Sequence, residues 1–493
     1  MADLKRFFGL PVLLGSLTLL GACVSSSGIE PQGEALDAAA LQAGQSLVGV
    51  PLSPAGWPRQ DWWRTLGDAQ LDGLIDEALR GSPDLQVSDA RARQANAVAM
   101  GRDAERLPTL NASAGYSGMR LPESVSPTGG SYSSISYLSL GFDYSLDLWG
   151  GQRAAWEAAL GRARAAQIDQ RAARLLLSAD VTRAYSELNH AFIVRDLAQE
   201  ELKRAEHLLR LSRQRMDAGL DSKVQLQQSE TLQASARQQL EAAQQRIGSA
   251  RIALAVLLGQ GPDRGLRIDR PQALRPAELV LPSTLPAELL GRRPDLIAAR
   301  WRVEAARKDI ESAKTEFYPN LNLSALAGLA ATGGGDLLTA ASRFYQVAPA
   351  LSLPIFDGGR LRANLEGQDA EYDLAVAQYN QTLVRALGEV SENLSAVRSL
   401  ERQLEDQRQA RDIAKANFAL AARRYAEGIG NYLDVLTVEQ QLLVNERQLA
   451  SLDADRFETS VRLIEALGGG FQPEQEPLAQ VAKPADDQAR ALP

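Results

Sequence analysis

A mainly α chain with a membrane β component, internally duplicated, is the fold class that these 493 residues predict. Three observations predict it. Residues 138–151, LSLGFDYSLDLWGG, alternate Leu138, Leu140, Phe142, Tyr144, Leu146 and Leu148 with small or polar residues, the period-two pattern of a strand with one greasy and one polar face. From Gln152 to Gly261 there is no proline and little glycine, so that strand runs straight into a very long helical stretch. The same plan then returns about 210 residues later.

The N-terminal residues come first. Lys5 and Arg6 precede an apolar run through Leu20, then Leu20-Gly21-Ala22-Cys23. The run is too short to span a bilayer and has the charge, core and small-residue order of an export signal, expected over residues 1–22. Cys23 is the only cysteine, which excludes an intramolecular disulfide. Placed after Leu-Gly-Ala it resembles the lipobox cysteine of bacterial lipoproteins, which becomes the lipidated first residue of the mature chain. Val24 follows it, where an aspartate would resemble an inner-membrane retention signal, so the expected location is the outer membrane. Residues 23–63 are then a lipidated, extended segment. A net charge of −8 without a basic block argues against a nucleic-acid partner, because phosphate neutralisation needs clustered Lys and Arg.

Duplication is read from landmarks in matching order. SPDL at Ser82 matches RPDL at Arg293, and LPTLN at Leu107 matches YPNLN at Tyr318, both at an offset of 211 (293 − 82; 318 − 107). RMDAGLDSKVQLQQSE from Arg215 matches RYAEGIGNYLDVLTVE from Arg424 at an offset of 209 (424 − 215). The first repeat is placed at 64–259, a proline-rich linker at 260–286, the second repeat at 287–468 and a tail at 469–493.

Each repeat opens with a medium helix, about 64–106 and 287–317, stopped at Pro108 or Pro319. Two strands follow, about 109–117 with 136–149 and about 320–330 with 345–356, each long enough to cross a bilayer core when tilted. Val347, Leu351, Leu353 and Ile355 are expected on one face of the last strand, with a bulge at Pro349, which cannot donate to a ladder. Leu140, Phe142, Tyr144 and Leu146 are expected to face lipid, and Asp143 and Asp147 a lumen. The connecting loops, MRLPESVSPTGGSYSS and ATGGGDLLTAASR, suit an extracellular end. Long helices at about 152–217 and 359–426 follow, each roughly 100 Å if straight. They end at Gly219 and Gly428, suited to left-handed caps, and the chain restarts at Asp221/Ser222 and Asn431, suited to N-caps. The return helices run to Gly259 and Gly468, and Leu436, Leu443, Ala450, Phe457 and Ile464 recur every seventh residue, as coiled-coil packing requires.

Four strands cannot close a barrel, and an unclosed sheet cannot sit in lipid. Oligomerisation is therefore required: two chains would supply eight strands and three would supply twelve, of which only the wider barrel leaves a water-filled lumen.

The duplicated joint SLPIFDGGR, the paired tips RMDAGLDSKVQL and RYAEGIGNYLDVL and the lipobox, taken in order from about Trp57 to Gly468, resemble the outer-membrane factor (TolC-like) family in its lipoprotein branch. The resemblance implies a homotrimer whose twelve-stranded β-barrel, four strands per chain, is continued by a long periplasmic α-helical barrel. It further implies a tip at Gly219, Leu220, Gly428 and Ile429 that meets a periplasmic adaptor (membrane fusion) protein, and an inner-membrane pump of the resistance-nodulation-division type. The chain would be the exit duct for small molecules such as drugs, with a type I protein secretion duct as the alternative. Matching the family's periplasmic gate places an aperture tyrosine at Tyr425 and an aperture aspartate at Asp434. Three copies of Asp434 about a narrow axis would favour cations; the same residue, in the first turn after Asn431, also complements a helix dipole. Gln225 stands where some relatives have an acid, and Gly430 where some have an arginine, so a salt-bridge lock of those relatives is expected to be absent.

No catalytic constellation is found and no cofactor is expected. His190 and His207, the two histidines, are 17 residues apart (207 − 190), and no HExxH, phosphate loop or GxSxG occurs. A non-pore periplasmic coiled-coil scaffold lipoprotein would explain the helices and the lipobox but leave the alternating strands without a purpose.

Overall fold

A computed structural model describes residues 25–37, 41, 52–53, 57–120, 122, 124, 130, 132–272, 281–282 and 289–472. Cys23, the leader expected over 1–22 and the tail beyond Gln472 lie outside these residues. The elements are α1 (Ala69–Gly81), α2 (Pro83–Ala104), β1 (Thr109–Arg120), β2 (Tyr132–Leu146), α3 (Gly151–Asp217), α4 (Lys223–Leu257), α5 (Pro294–Thr315), β3 (Asn320–Thr332), β4 (Arg343–Ser352), α6 (Arg360–Ala426) and α7 (Tyr432–Ala466). The repeat is visible in their lengths: α2 and α5 have 22 residues each, α3 and α6 have 67, and α4 and α7 have 35.

The medium helix expected over 64–106 is instead broken. A short 3-10 turn at Trp62–Leu66 precedes α1, and α2 restarts at Pro83 with Ser82 held extended at φ −62°, ψ 126°. The second copy breaks likewise, a turn at Leu289–Arg292 giving way to α5 at Pro294. Proline fits the first helical position and pushes the residue before it out of the α region, so Pro83 and Pro294 start helices where the sequence reading ran through them.

The chain divides into two compact units. In the first, formed by the stretch up to Leu36 with Ala90–Gln167 and Ala298–Gln381, the strands make an antiparallel sheet in the order β1-β2-β3-β4. Its register is uninterrupted, from Thr109↔Asp143 across β1 and β2 through Leu146↔Leu321 to Leu323↔Pro349 across β3 and β4. The bulge expected at Pro349 is absent. β4 is an edge strand, where an N–H pointing away from β3 has no ladder bond to lose.

β2 and β4 also stop earlier than expected, at Leu146 and Ser352. Asp147 leaves the strand and accepts the N–H groups of Gln152 at 3.2 Å and Arg153 at 2.9 Å, capping α3. Asp357 does the same for α6 with Gly359 at 3.0 Å and Leu361 at 2.8 Å. Leu353 and Ile355 therefore lie past the strand they were assigned to. Trp149, freed from the strand, stacks on Tyr318 at 5.0 Å and donates to the carbonyl of Pro319 at 2.8 Å.

The second unit, Asp37–Asp89, Ile168–Ile297 and Thr382–Pro493, holds the largest core. Trp62, Trp63, Leu71 and Ile75 pack there with Tyr185, Leu188, Leu254, Phe457 and Ile464. Asp68 accepts from Gln70 N–H at 2.9 Å to cap α1 and takes the Tyr185 hydroxyl at 2.9 Å. The seven-residue row on α7 faces inward, with Leu443, Ala450, Phe457 and Ile464 all buried.

Candidate functional site: a two-faced sheet and a helical tip

Cross-strand partners share a face, so the register sorts the sheet's side chains. One face carries Leu110, Phe142, Ala325 and Val347 in one row and Ala112, Leu140, Ala327 and Tyr345 in the next. The other carries Asn111, Gly141, Leu326 and Gln346, then Thr109, Asp143, Ser324 and Ala348. The apolar face is open, with Leu110 at 70 %, Leu140 at 52 % and Tyr345 at 87 % exposure. In water that exposure is costly; against hydrocarbon it is required. Glycine makes room for the aromatics: a Cβ on Gly115 would lie 2.5 Å from the ring of its partner Tyr137. Among the described residues the outer edges of β1 and β4 pair with no strand.

In the same unit the N-terminal stretch is strapped along the start of α6. Ile29 is buried with Ile310, Phe317, Leu361 and Leu365. The Gln32 and Gly33 N–H groups donate to Asp373 at 2.9 and 2.6 Å, and Leu36 N–H to Asn380 at 2.8 Å.

The paired tips belong to the second unit. α3 ends through Gly219 at φ 72° with Leu220 N–H returning to the Arg215 carbonyl at 2.8 Å, and α6 ends through Gly428 at φ 80° with Ile429 N–H returning to Arg424 at 3.0 Å. Both glycines hold a backbone that other residues adopt only with strain. Leu220 and Ile429 project outward, each 66 % exposed. Gln225, one turn into α4, accepts the Ser222 N–H as part of a capping box. Asn431 caps α7 by accepting from Leu433 at 3.1 Å.

Tyr425 is 1 % exposed and donates its hydroxyl to Asp221. Arg215 grips the same carboxylate at 3.2 Å, donates to the Tyr425 carbonyl at 3.1 Å and lies 4.5 Å over its ring. Tyr432 packs beside it at 5.5 Å and shares a hydrogen bond of 2.6 Å with Ser229. Burial, reinforced by Asp221, pushes the Tyr425 hydroxyl well above the ordinary tyrosine value, so it stays a neutral donor. Asp434 is not part of this cluster; it is exposed in the first turn of α7.

An ionic link at the tip therefore exists within the chain, built by Arg215 and Asp221; Asp221, expected with Ser222 as an N-cap, instead pairs with Arg215 and Tyr425 while Ser222 takes the cap. The repeat held the signal, since at the offset of 209 Asp221 stands opposite Gly430 (430 − 221). A Cβ on Gly430 would come within 3.0 Å of the Arg424 and Tyr425 backbone, so glycine lets the second tip fold closely. Among the described residues no group of three His, Cys, Asp or Glu could hold a metal ion, and no helix is long and apolar enough to cross a membrane.

Comparison with known proteins finds a match to the family model for outer membrane efflux proteins at residues 74–260 and again at 285–469. The fusaric acid resistance protein FusA of Burkholderia cepacia is 39 % identical over 74 % of this chain and 70 % of its own. The pyoverdine export outer membrane protein OpmQ of Pseudomonas aeruginosa is 33 % identical over 95 % and 98 %. Among solved structures, the outer membrane protein VceC of Vibrio cholerae superimposes with a TM-score of 0.78 at 36 % identity, covering 84 % of this chain and all of that one.

Proposed function

Since the chain belongs to the outer membrane efflux protein family, we propose that it is the exit duct of a tripartite pump for small toxic molecules. The observation that carries this reading is the four-stranded sheet with one apolar and one polar face and two open edges. Such a sheet is stable in lipid only when further copies close it. Three copies pool twelve strands around a water-filled lumen, and the long helices pool into a conduit on the periplasmic side. Small molecules are favoured over secreted proteins because the relatives are named for fusaric acid resistance and pyoverdine export.

In this reading an acylated Cys23 tethers the chain to outer-membrane lipid, and the strap from Ser25 to Leu36 fastens that tether to the start of α6. Leu220 and Ile429, held outward by the caps at Gly219 and Gly428, offer apolar contacts to a periplasmic adaptor, which joins the duct to a pump of the resistance-nodulation-division type. Tyr425 holds the second tip in its resting position, and Asp434 lines the narrowing. Purified protein reconstituted in planar bilayers should give discrete conductance steps. Folded, acylated protein that never conducts would instead support the coiled-coil scaffold.

A further inference from the structure

Seven residues beyond Tyr432 on α7 (439 − 432), Glu439 is 1 % exposed, and neither of its carboxylate oxygens has a hydrogen-bond partner. The cation beside it is Arg204 of α3, whose Nε lies 3.8 Å away and is likewise without a hydrogen bond, because Arg204 is drawn to Glu446 at 3.1 Å. Glu201, one turn earlier on α3 and also buried, accepts from Arg447 of α7 at 2.7 Å, and Arg447 reaches Gln239 of α4 as well. This seam between α3 and α7 holds three carboxylates, Glu201, Glu439 and Glu446, against two guanidiniums, Arg204 and Arg447. If all five are ionised, one negative charge is in surplus, and the surplus falls on Glu439, the acid of the seam that accepts no hydrogen bond. A proton on Glu439 balances the seam.

The charged groups that act on Glu439 are Arg204 and Glu201 of α3, with Glu446 and Arg447 of α7 paired to them and Tyr432 one further titratable neighbour; along the same seam Gln239 of α4 meets Arg447 and Gln407 of α6 meets Asn445. Burial pushes the Glu439 carboxyl up to about 7, with Arg204 lowering it and Glu201 adding to the rise. At the corresponding place in the first repeat Glu230 is exposed and faces Arg213 at 3.4 Å, so the feature belongs to the second repeat alone.

We propose that Glu439 is a proton-operated latch between α3 and α7, allowing the helices to pack when protonated and driving them apart when ionised. The link from latch to opening rests on the duct reading above; the latch itself does not. The sign follows from linkage. In the packed state the carboxyl holds its proton more tightly than in a separated state, where water returns it toward its ordinary value of 4.5. Packing is therefore strongest below that ordinary value, weakens by up to about tenfold per pH unit as pH rises, and levels off above about 7.

Hydrogen exchange of the intact, assembled protein in detergent, corrected for the intrinsic pH dependence of exchange, tests this. Between about pH 5 and about pH 8, protection along residues 432–446 should fall at least about tenfold in the wild type. It should stay high in Glu439→Gln, whereas Glu458→Gln, at a partly exposed position on the same helix where the carboxylate meets Arg462, should behave as wild type. Glu201→Gln, which removes the neighbouring like charge, should move the transition to lower pH and provides a reading if Glu439→Gln does not assemble. Flat protection in the wild type, an undiminished transition in Glu439→Gln, or an unmoved midpoint in Glu201→Gln would overturn the latch. In planar bilayers, open probability should rise with pH over the same window in the wild type and not in Glu439→Gln. An intact exchange transition in a protein that never conducts would uphold the latch and remove the duct reading.

Discussion

Tyr425 shows how much a tip turn depends on one hydroxyl. Its partner Asp221 has a side chain only 2 % exposed, so a donor lost there is not replaced by water. Tyr425→Phe should cost about 1–3 kcal/mol of tip stability, the usual penalty for an under-satisfied buried acceptor. It should also raise the basal conductance of the reconstituted channel; conductance equal to wild type would separate Tyr425 from the gate. Asp434 is a different kind of residue, exposed and outside that network. If it lines the narrowing, it concentrates negative charge where multivalent cations can lodge. Asp434→Ala should then weaken their block from the periplasmic side while Asp336→Ala, in the loop between β3 and β4, leaves it intact. Block of equal strength in both variants would leave Asp434 as a partner of the α7 dipole alone.

At the scale of elements, the two faces of the sheet make opposite predictions for the same substitution. Leu140 sits on the apolar face with Ala112 and Ala327, and Asp143 on the polar face with Ser324. Leu140→Arg should reduce the yield of assembled protein by an amount corresponding to about 2–4 kcal/mol per chain near mid-membrane, and Asp143→Arg much less. Equal tolerance, measured by the yield of assembled protein, would count against a barrel. These faces were legible in the sequence because strand periodicity is local and nothing in a two-sided sheet disturbs it. The glycine caps were legible for the same reason, since positive φ at Gly219 and Gly428 is a property of the turn itself. What could not be read was set by partners distant in the chain. Asp147 is the local exception: expected to face a lumen, it caps N–H groups only five and six residues ahead, a role that the strand alternation around it masked. Arg215, Asp221 and Tyr425 meet across about 200 residues, and no period in the sequence announces a contact between two turns. Pro83 and Pro294 differ, because a proline's preference for the first helical position is local chemistry that SPDL and RPDL already carry.

At the scale of the whole molecule, the proposed lipid tether and the proposed closure of the sheet make separable predictions. Cys23→Ser should abolish acylation, seen by mass spectrometry, yet leave assembly intact wherever the leader is still removed, because the strap's contacts with Asp373 and Asn380 do not involve the lipid. Closure makes the sharper prediction. The unpaired edges of β1 and β4 must meet across copies, so the strand order within one chain dictates a ring in which every β1 edge finds a β4 edge. An acylated Cys23 leaves the mature chain without a free thiol, which makes paired cysteines clean reporters. One cysteine placed among Asn111 and Ser113 on β1 and one among Phe344, Gln346 and Ala348 on β4 should, in the best-registered pair, oxidise into a ladder of one, two and three chains under denaturing conditions. The ladder should stop at three, since a ring has no end at which a fourth chain can add. A ladder stopping at two would mean an eight-stranded barrel whose interior side chains fill, and one running on without limit would mean an open sheet, neither of which can serve as a duct.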